Sequence, residues 1–251
     1  MGREVASAVS KQSDMRLLAG VDKKASASTF SVGDGSVSVP LFTDLPAALS
    51  KHEPQVMVDF TAAEAVMPAA RLAAKQGVSL VIGTTGYEPA DIQELEKLAA
   101  SNGIGIVVAA NFALGAVLMM HLARQAARHF DYAEVIELHH ETKADAPSGT
   151  AVATAKAMVE ARGKPFLRNV PQRENLPGAR NAESGGVTVH SIRLPGLVAH
   201  QEVIFGGMGQ TLTIRHDTIG RECYMPGVLI AARHVASKKG LVQGLDKLLG
   251  L

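Results

Sequence analysis

The sequence contains a single cysteine, Cys223. One thiol cannot close an internal disulfide, and its scarcity fits a reducing, cytoplasmic setting. A lone cysteine is able to serve as a nucleophile, but nothing around Cys223 marks it as one, and it reads as a small packed residue. Excess charge is lacking as well. The chain carries 25 Lys and Arg against 24 Asp and Glu, a net +1, without the basic footprint of a nucleic-acid-binding surface. No apolar run approaches the ~18 residues of a membrane-spanning helix, and no basic-then-apolar leader pattern opens the chain. Internal repeats and low-complexity tracts are absent. What remains is an ordinary globular composition over 251 residues, 47% hydrophobic and 20% charged, enough for one large or two small domains.

The first half alternates short apolar runs with amphipathic stretches. Leu17–Asp22, Val56–Phe60, Val78–Ile82 and Ile104–Ala109 read as buried strands. Between them Ala63–Gln76, closed by Gly77, and Pro89–Ser101 read as helices, the latter with Ile92, Leu95, Leu98 and Ala99 on one face. Alternation of this kind implies a parallel, doubly wound α/β sheet. Each strand ends in small or polar residues: Gly20 and Asp22, Phe60-Thr61, Gly83-Thr84-Thr85-Gly86, and Ala109-Ala110-Asn111-Phe112. Ligands of open α/β sheets bind beyond the carboxyl ends of the strands. Four such ends together point to a coherent ligand cleft, although Gly and Thr also terminate strands for purely structural reasons.

The second half changes character. Leu114–Phe130 is a long helical pattern, and Ala133–Leu138 is a strand. Val187–Arg193, His200–Phe205 and Gln210–His216 alternate as antiparallel strands do. Gly206-Gly207-Met208-Gly209 reads as a hairpin turn, and Pro171–Gly186 as a mobile loop. Met225–Ser237 is again helical. The expected organisation is a dinucleotide-binding domain of residues 1–111 and 221–251, and a substrate-binding domain of residues 112–220 built on an antiparallel or mixed sheet.

A dinucleotide fold needs a first strand and a Gly-rich turn for the pyrophosphate. Neither precedes the helical stretch Glu4–Gln12. The reading is therefore of a Rossmann-type sheet lacking its first strand.

The most informative segment is Glu137-Leu-His-His-Glu-Thr-Lys-Ala-Asp-Ala-Pro-Ser-Gly-Thr-Ala151. It places adjacent histidines His139 and His140, the cation Lys143, and a Pro-Ser-Gly-Thr turn opening the helical run Ala151–Ala161 within a few residues. A proton donor, a cationic anchor and free N–H groups at a helix start suit a small, multiply anionic substrate. Two histidines also suggest a metal site. However, neighbours on an extended chain point to opposite sides and no His-x-x-x-His pair exists, so no metal is expected.

The segment resembles, nearly residue for residue, the E-x-H-H-x-x-K-x-D-A-P-S-G-T-A signature of the dihydrodipicolinate reductase family of lysine and diaminopimelate biosynthesis, and the resemblance extends over essentially the whole chain. Met1-Gly2-Arg3 matches the end of that family's G-x-x-G-R-M-G-R turn, which gives the expectation of an N-terminally truncated sequence. The resemblance implies a homotetrameric oxidoreductase in which NADH or NADPH gives hydride to ring C4 of a cyclic dicarboxylate formed after loss of water. It assigns His139 as general acid, Lys143 as the second catalytic group, His140 as a substrate contact, and Gly149 and Thr150 as the carboxylate grip. It sets Gly83, Thr84, Thr85 and Ala109, Ala110, Asn111, Phe112 along the nicotinamide side of the cofactor, and Asp22 and Lys23 at the adenosine ribose. Asp22 favours ribose hydroxyls, whereas Lys23 and Lys24 offer point charges to a 2′-phosphate, so NADH-leaning or dual use is expected. The alternatives are a related two-domain reductase acting on another anionic substrate, and a non-catalytic dinucleotide-binding protein. The joint presence of His139, Lys143 and Gly149 argues against a protein that only senses.

Overall fold

A computed structural model describes all residues except Asp34, Ser36 and Asn181. The chain divides into two compact units, Met1–Leu114 with Arg221–Leu251, and Gly115–Gly220.

The first unit begins with helix α1 (Gly2–Ser10) and strand β1 (Gly20–Val21). The strand expected over Leu17–Asp22 shrinks to these two residues because Val21 is 42% exposed and little apolar surface is gained by extending it. Strands β2 (Thr29–Val32) and β3 (Val37–Phe42) complete a three-stranded sheet with β1, in which β1 and β3 are parallel and β2 and β3 antiparallel. Helix α2 (Leu45–His52) leads into β4 (Val56–Asp59), α3 (Ala63–Lys75), β5 (Ser79–Ile82), α4 (Pro89–Asn102) and β6 (Gly105–Val108). Late in the chain α7 (Met225–Ser237), β12 (Gly240–Gln243) and α8 (Leu245–Leu249) return to this unit. They are numbered after the second unit's α5 (Leu114–Ala126), β7 (Tyr132–His139), α6 (Gly149–Arg162), β8 (Ala182–Ser184), β9 (Val187–Arg193), β10 (Ala199–Gly207) and β11 (Gln210–Thr218).

Strands β12, β6, β5 and β4 form an all-parallel sheet in that order. Both central strands are buried along their whole length, which is why they read as unbroken apolar runs. Val66, Ala70, Leu95 and Ala99 from α3 and α4 pack against Leu80, Ile82 and Ile106, and α7 packs against β4, β5 and β6. Turn chemistry punctuates the layers. Glu88 and Asp91 form a reciprocal capping box at α4, and Gly103 closes that helix at φ 61°. Gly105 is where β6 meets α7 so closely that a Cβ would lie 2.2 Å from the Lys238 carbonyl oxygen.

In the second unit β11, β10, β7, β9 and β8 form a mixed sheet in that order. The β10–β11 hairpin closes at Gly207 and Gln210, as the glycine-rich turn predicts. Strand β9, whose alternation suggested an antiparallel partner, runs parallel to β7. Alternation reports which face is buried but not strand direction. The segment Pro171–Gly186, expected to be a loop, contains β8, which pairs with β9; within it, Asn181 lies outside the described residues. Ala133, Val135, Val203 and Phe205 on one sheet face pack against Ala123 of α5 and Ala151, Ala155 and Met158 of α6. The other face carries Glu134, Ile136, Leu138, His190, Ile192 and Ile204, all half-buried.

Among the described residues, no helix is long and apolar enough to cross a membrane.

Candidate active site

The signature segment runs off the carboxyl end of β7 into the N-terminus of α6. Period-two alternation puts Ala133, Val135, Glu137 and His139 on the helix-covered face. Glu137 is fully buried there. A buried carboxylate is tolerated only when its oxygens are satisfied, and here donors reach both of them. Arg193 donates to both oxygens, Nη1 to Oε2 at 2.9 Å and Nη2 to Oε1 at 2.7 Å. His139 Nδ1 lies 2.5 Å from Oε2, and the Ser148 N–H donates to Oε1 at 3.2 Å. Burial is the largest single influence on Glu137 and raises its pKa. The bonds from Arg193, Ser191 and His139 together outweigh it and hold the carboxyl below its ordinary value. For His139 burial again leads and lowers the pKa. The Glu137 carboxylate opposes that, while Lys143 and Arg193 add to it, and the net shift is downward.

Beyond β7 the chain turns sharply, with the Lys143 N–H donating to the His140 carbonyl. His140 is exposed, its Nδ1 2.8 Å from the Thr142 hydroxyl. Lys143 Nζ is ion-paired with Asp145, whose pKa is lowered chiefly by that bond. Arg193 Nη2 also holds the Asp145 carbonyl at 2.8 Å. Ser148 caps α6, its hydroxyl accepting from the Ala151 N–H at 3.2 Å. The N–H groups of Gly149 and Thr150, one and two residues inside the helix, have no intrahelical acceptor and are supplied by the positive end of the helix dipole. Gly149 is exposed, and a Cβ there would meet nothing within 4 Å. The second unit therefore ties His139 to the start of α6, where Gly149 and Thr150 lie, and to the loop of Lys143, while His140 is exposed beside Thr142. Glu137 and Arg193 join them without having been singled out by the sequence. The signal for Glu137 was its position two residues before His139 on one strand face. Arg193 had none, because its proximity depends on the pairing of His139 with Arg193 across β7 and β9.

In the first unit the segments following β4, β5 and β6 leave one edge of the parallel sheet side by side, since Asp59 is level with Ile82, and Ile82 with Val108. The buried Asp59 carboxylate ties two of them together. Its Oδ1 accepts from the Thr61 N–H at 2.9 Å, the Thr61 hydroxyl at 2.8 Å and the Thr84 hydroxyl at 2.9 Å. Gly83 has no room for a side chain: a Cβ would lie 2.0 Å from the Phe60 ring. The ring packs edge-on against Phe112 with centroids 5.7 Å apart. Thr84 is buried and Thr85 exposed. Ala109 and Phe112 are 3% and 1% exposed, so both side chains support the turn from beneath, and only Ala110 and Asn111 offer surface. Asn111 Oδ1 accepts from the Ala113 N–H at 2.9 Å, which leaves its amide nitrogen to donate outward. Along this edge Thr85 and Ala110 are exposed and Asn111 is half-buried, while the space beside Gly83 is filled by the Phe60 ring. Asp22 and Lys23 lie in an exposed turn after β1, in the other sheet of this unit, with Asp22 Oδ1 accepting from the Lys24 N–H at 2.9 Å. Among the described residues no group of three or more His, Cys, Asp or Glu is arranged to hold a metal ion.

Comparison with known proteins shows the family. The family model described as dihydrodipicolinate reductase, N-terminus, matches residues 1–112, and the one described as dihydrodipicolinate reductase, C-terminus, matches residues 115–249. The 4-hydroxy-tetrahydrodipicolinate reductase of Dehalococcoides mccartyi is 55% identical over 251 residues, covering 100% of this chain and 95% of the relative. That of Moorella thermoacetica is 48% identical, covering 99% of this chain and 94% of the relative. The structure of dipicolinate-bound dihydrodipicolinate reductase from Paenisporosarcina sp. TG-14 superimposes with a TM-score of 0.86 at 40% identity, covering 98% of this chain and 94% of that one. Amine dehydrogenase from Mycobacterium smegmatis, at 14% identity and a TM-score of 0.66, shares the fold alone. Matched by both family models and by close relatives along its whole length, the chain belongs to the dihydrodipicolinate reductase family.

Proposed function

We propose that this chain reduces 4-hydroxy-tetrahydrodipicolinate to tetrahydrodipicolinate, with His139 as proton donor, in lysine and diaminopimelate biosynthesis. The observation that carries the residue assignment is the convergence of His139, Lys143 and the α6 N-terminus on one segment braced by a single buried carboxylate. NADH or NADPH, when bound, supplies the hydride. After water leaves the substrate, hydride and one proton balance the reduction.

The protein's part is binding and proton supply. The free N–H groups of Gly149 and Thr150 take one substrate carboxylate. His140 and Lys143 face the remaining anionic groups, Lys143 sharing its ammonium between Asp145 and the substrate. His139 is held toward its neutral form in the free protein, yet a bound dianion favours the imidazolium. Substrate therefore brings in the proton that Nε2 then delivers. In the first unit, Gly83, Thr84, Thr85, Ala110 and Asn111 receive the nicotinamide end, with Ala109 and Phe112 shaping the turn below. Asp22 and Lys23 meet the adenosine ribose. The half-buried apolar face of the mixed sheet, with Ile136, Leu138, Ile192 and Ile204, supports a homotetramer built from four copies of the second unit. A cytoplasmic location follows from the family's biosynthetic role and the single cysteine.

Substrate-dependent oxidation of NADH and NADPH by the purified protein tests the reaction; oxidation that does not require the substrate contradicts it. Cofactor choice has its own test. Asp22 repels a 2′-phosphate, and the exposed Lys23 offsets this only weakly, an exposed ion pair contributing up to about 1 kcal/mol. Lys23→Ala is expected to raise the KM for NADPH roughly 2–5-fold and leave that for NADH unchanged, and added salt should blunt the difference. A strong NADPH preference that survives the substitution would contradict this role for Lys23.

A further inference from the structure

His139, the Lys143 loop and the start of α6 belong to three consecutive pieces of backbone, yet one side chain reaches all of them. Glu137 accepts from His139 Nδ1 and from the Ser148 N–H at the cap of α6. Its other partner, Arg193, reaches onward to the carbonyl of Asp145, the residue whose carboxylate holds Lys143. Glu137 is fully buried and Arg193 is half-buried, with 18% of its side chain exposed. A buried carboxylate is costly unless it is paired and hydrogen-bonded, and these partners offset that cost. Glu137 is fully buried, so its carboxylate is not presented to a substrate.

We propose that Glu137 is a positioning residue: it fixes His139 with its Nδ1 protonated, leaving Nε2 as the atom that carries and delivers the proton, and through Arg193 it fastens the Lys143 loop to the same anchor. The inference rests on the proposed reduction with His139 as donor. The chemistry closes on itself. As an imidazolium, His139 carries a proton on each nitrogen. Delivery from Nε2 leaves the neutral Nδ1–H form, the tautomer that the carboxylate has held throughout. A second role follows from charge. Three charged groups act on His139: Glu137 on its own strand, Lys143 in the loop, whose ammonium is paired with Asp145, and Arg193 on β9. The residue opposite it on β10 is the uncharged Ala199, and α6 presents the neutral Ser148. Glu137 is the fully buried anion of this set and is in direct contact with the ring, so it is the group that keeps protonation of His139 within reach.

The test is a titration of the His139 ring by NMR, assigned by its disappearance in His139→Gln, in the wild-type protein and in Glu137→Gln. Removing a carboxylate in contact with the ring is expected to move the His139 midpoint to lower pH by about one unit or more. The alkaline limb of kcat/KM for the reduction is expected to move the same way, while NADH affinity stays at the wild-type value. Glu137→Asp, which keeps the charge but shortens the arm, should keep the midpoint near the wild-type position and lower kcat several-fold. A Glu137→Gln protein that loses activity with an unmoved midpoint would show that Glu137 is only structural and would overturn the proposal. If Glu137→Gln does not fold, Glu137→Asp decides alone: full wild-type kcat overturns it, and reduced kcat with unchanged NADH affinity supports it. The titration needs no substrate. A moved midpoint in a protein that fails to reduce 4-hydroxy-tetrahydrodipicolinate would therefore sink the reaction and leave Glu137's hold on the ring intact.

Discussion

Replacing His139 by glutamine is expected to lower kcat by roughly 10²–10⁴, the range that a positioned general acid contributes. Glutamine keeps a hydrogen-bonding group at the same place but has no dissociable proton, so the substrate KM should change far less than kcat. NADH affinity should not change, because the residues that would hold the cofactor lie in the first unit. Steady-state kinetics together with a fluorescence titration of NADH separate these quantities. In the wild-type protein the pH dependence has a definite sign. The acid must be protonated to act, and burial lowers its pKa in the free protein. The value of kcat/KM should therefore fall with rising pH, from below the ordinary imidazole value. A near-normal kcat in the glutamine variant would remove His139 as the donor.

Lys143→Ala is expected to lower kcat/KM by roughly 10²–10³, the scale for losing one charge donor at a site of developing negative charge. The ammonium sits beside Asp145, with 21% of the lysine side chain exposed, so it is partly desolvated and its field is only partly screened. Removing it also takes away the ion-pair partner of Asp145. Lys143→Arg is an informative companion, since it keeps the charge while replacing a compact ammonium with a planar fork. It should recover less than full activity. Wild-type rates in both variants would remove Lys143 from the chemistry.

The parts of this molecule legible in its sequence are those fixed by local pattern. Strands β5 and β6 announce themselves because burial on both faces favours nearly continuous apolar runs. Helix α4 is bounded by Pro89 and Gly103, residues with a mechanical reason to be there. The hairpin at Gly206–Gly209 is a turn whose chemistry matches its geometry. Elements whose stability comes from distant partners were not legible. Strand β12 is four residues long and is held by pairing with β6, more than a hundred positions earlier. Strand β1 is reduced to Gly20–Val21 and joins β3 in a sheet of its own.

The active site divides in the same way. His139, His140, Lys143, Gly149 and Thr150 could be named because they are neighbours in sequence. Arg193 could not, because it reaches Glu137 only through the parallel register of β7 and β9. Asp59 was visible as the end of a strand, but its bonds to Thr61 and Thr84 join two separate turns. Phe112 was grouped with cofactor contacts by resemblance. Its ring proves to be part of the core beneath the turn, packed on Phe60.

The most direct measurement of the reaction is isotopic. The purified protein is supplied with NADH deuterated at the transferable position of the nicotinamide and with 4-hydroxy-tetrahydrodipicolinate, and the product is examined by mass spectrometry. The expected result is tetrahydrodipicolinate carrying a single deuterium on its ring, formed in step with cofactor oxidation and slowed together with it in His139→Gln. Product without the label, or cofactor oxidation without tetrahydrodipicolinate, would contradict the assignment of this chain as the catalyst of that reduction.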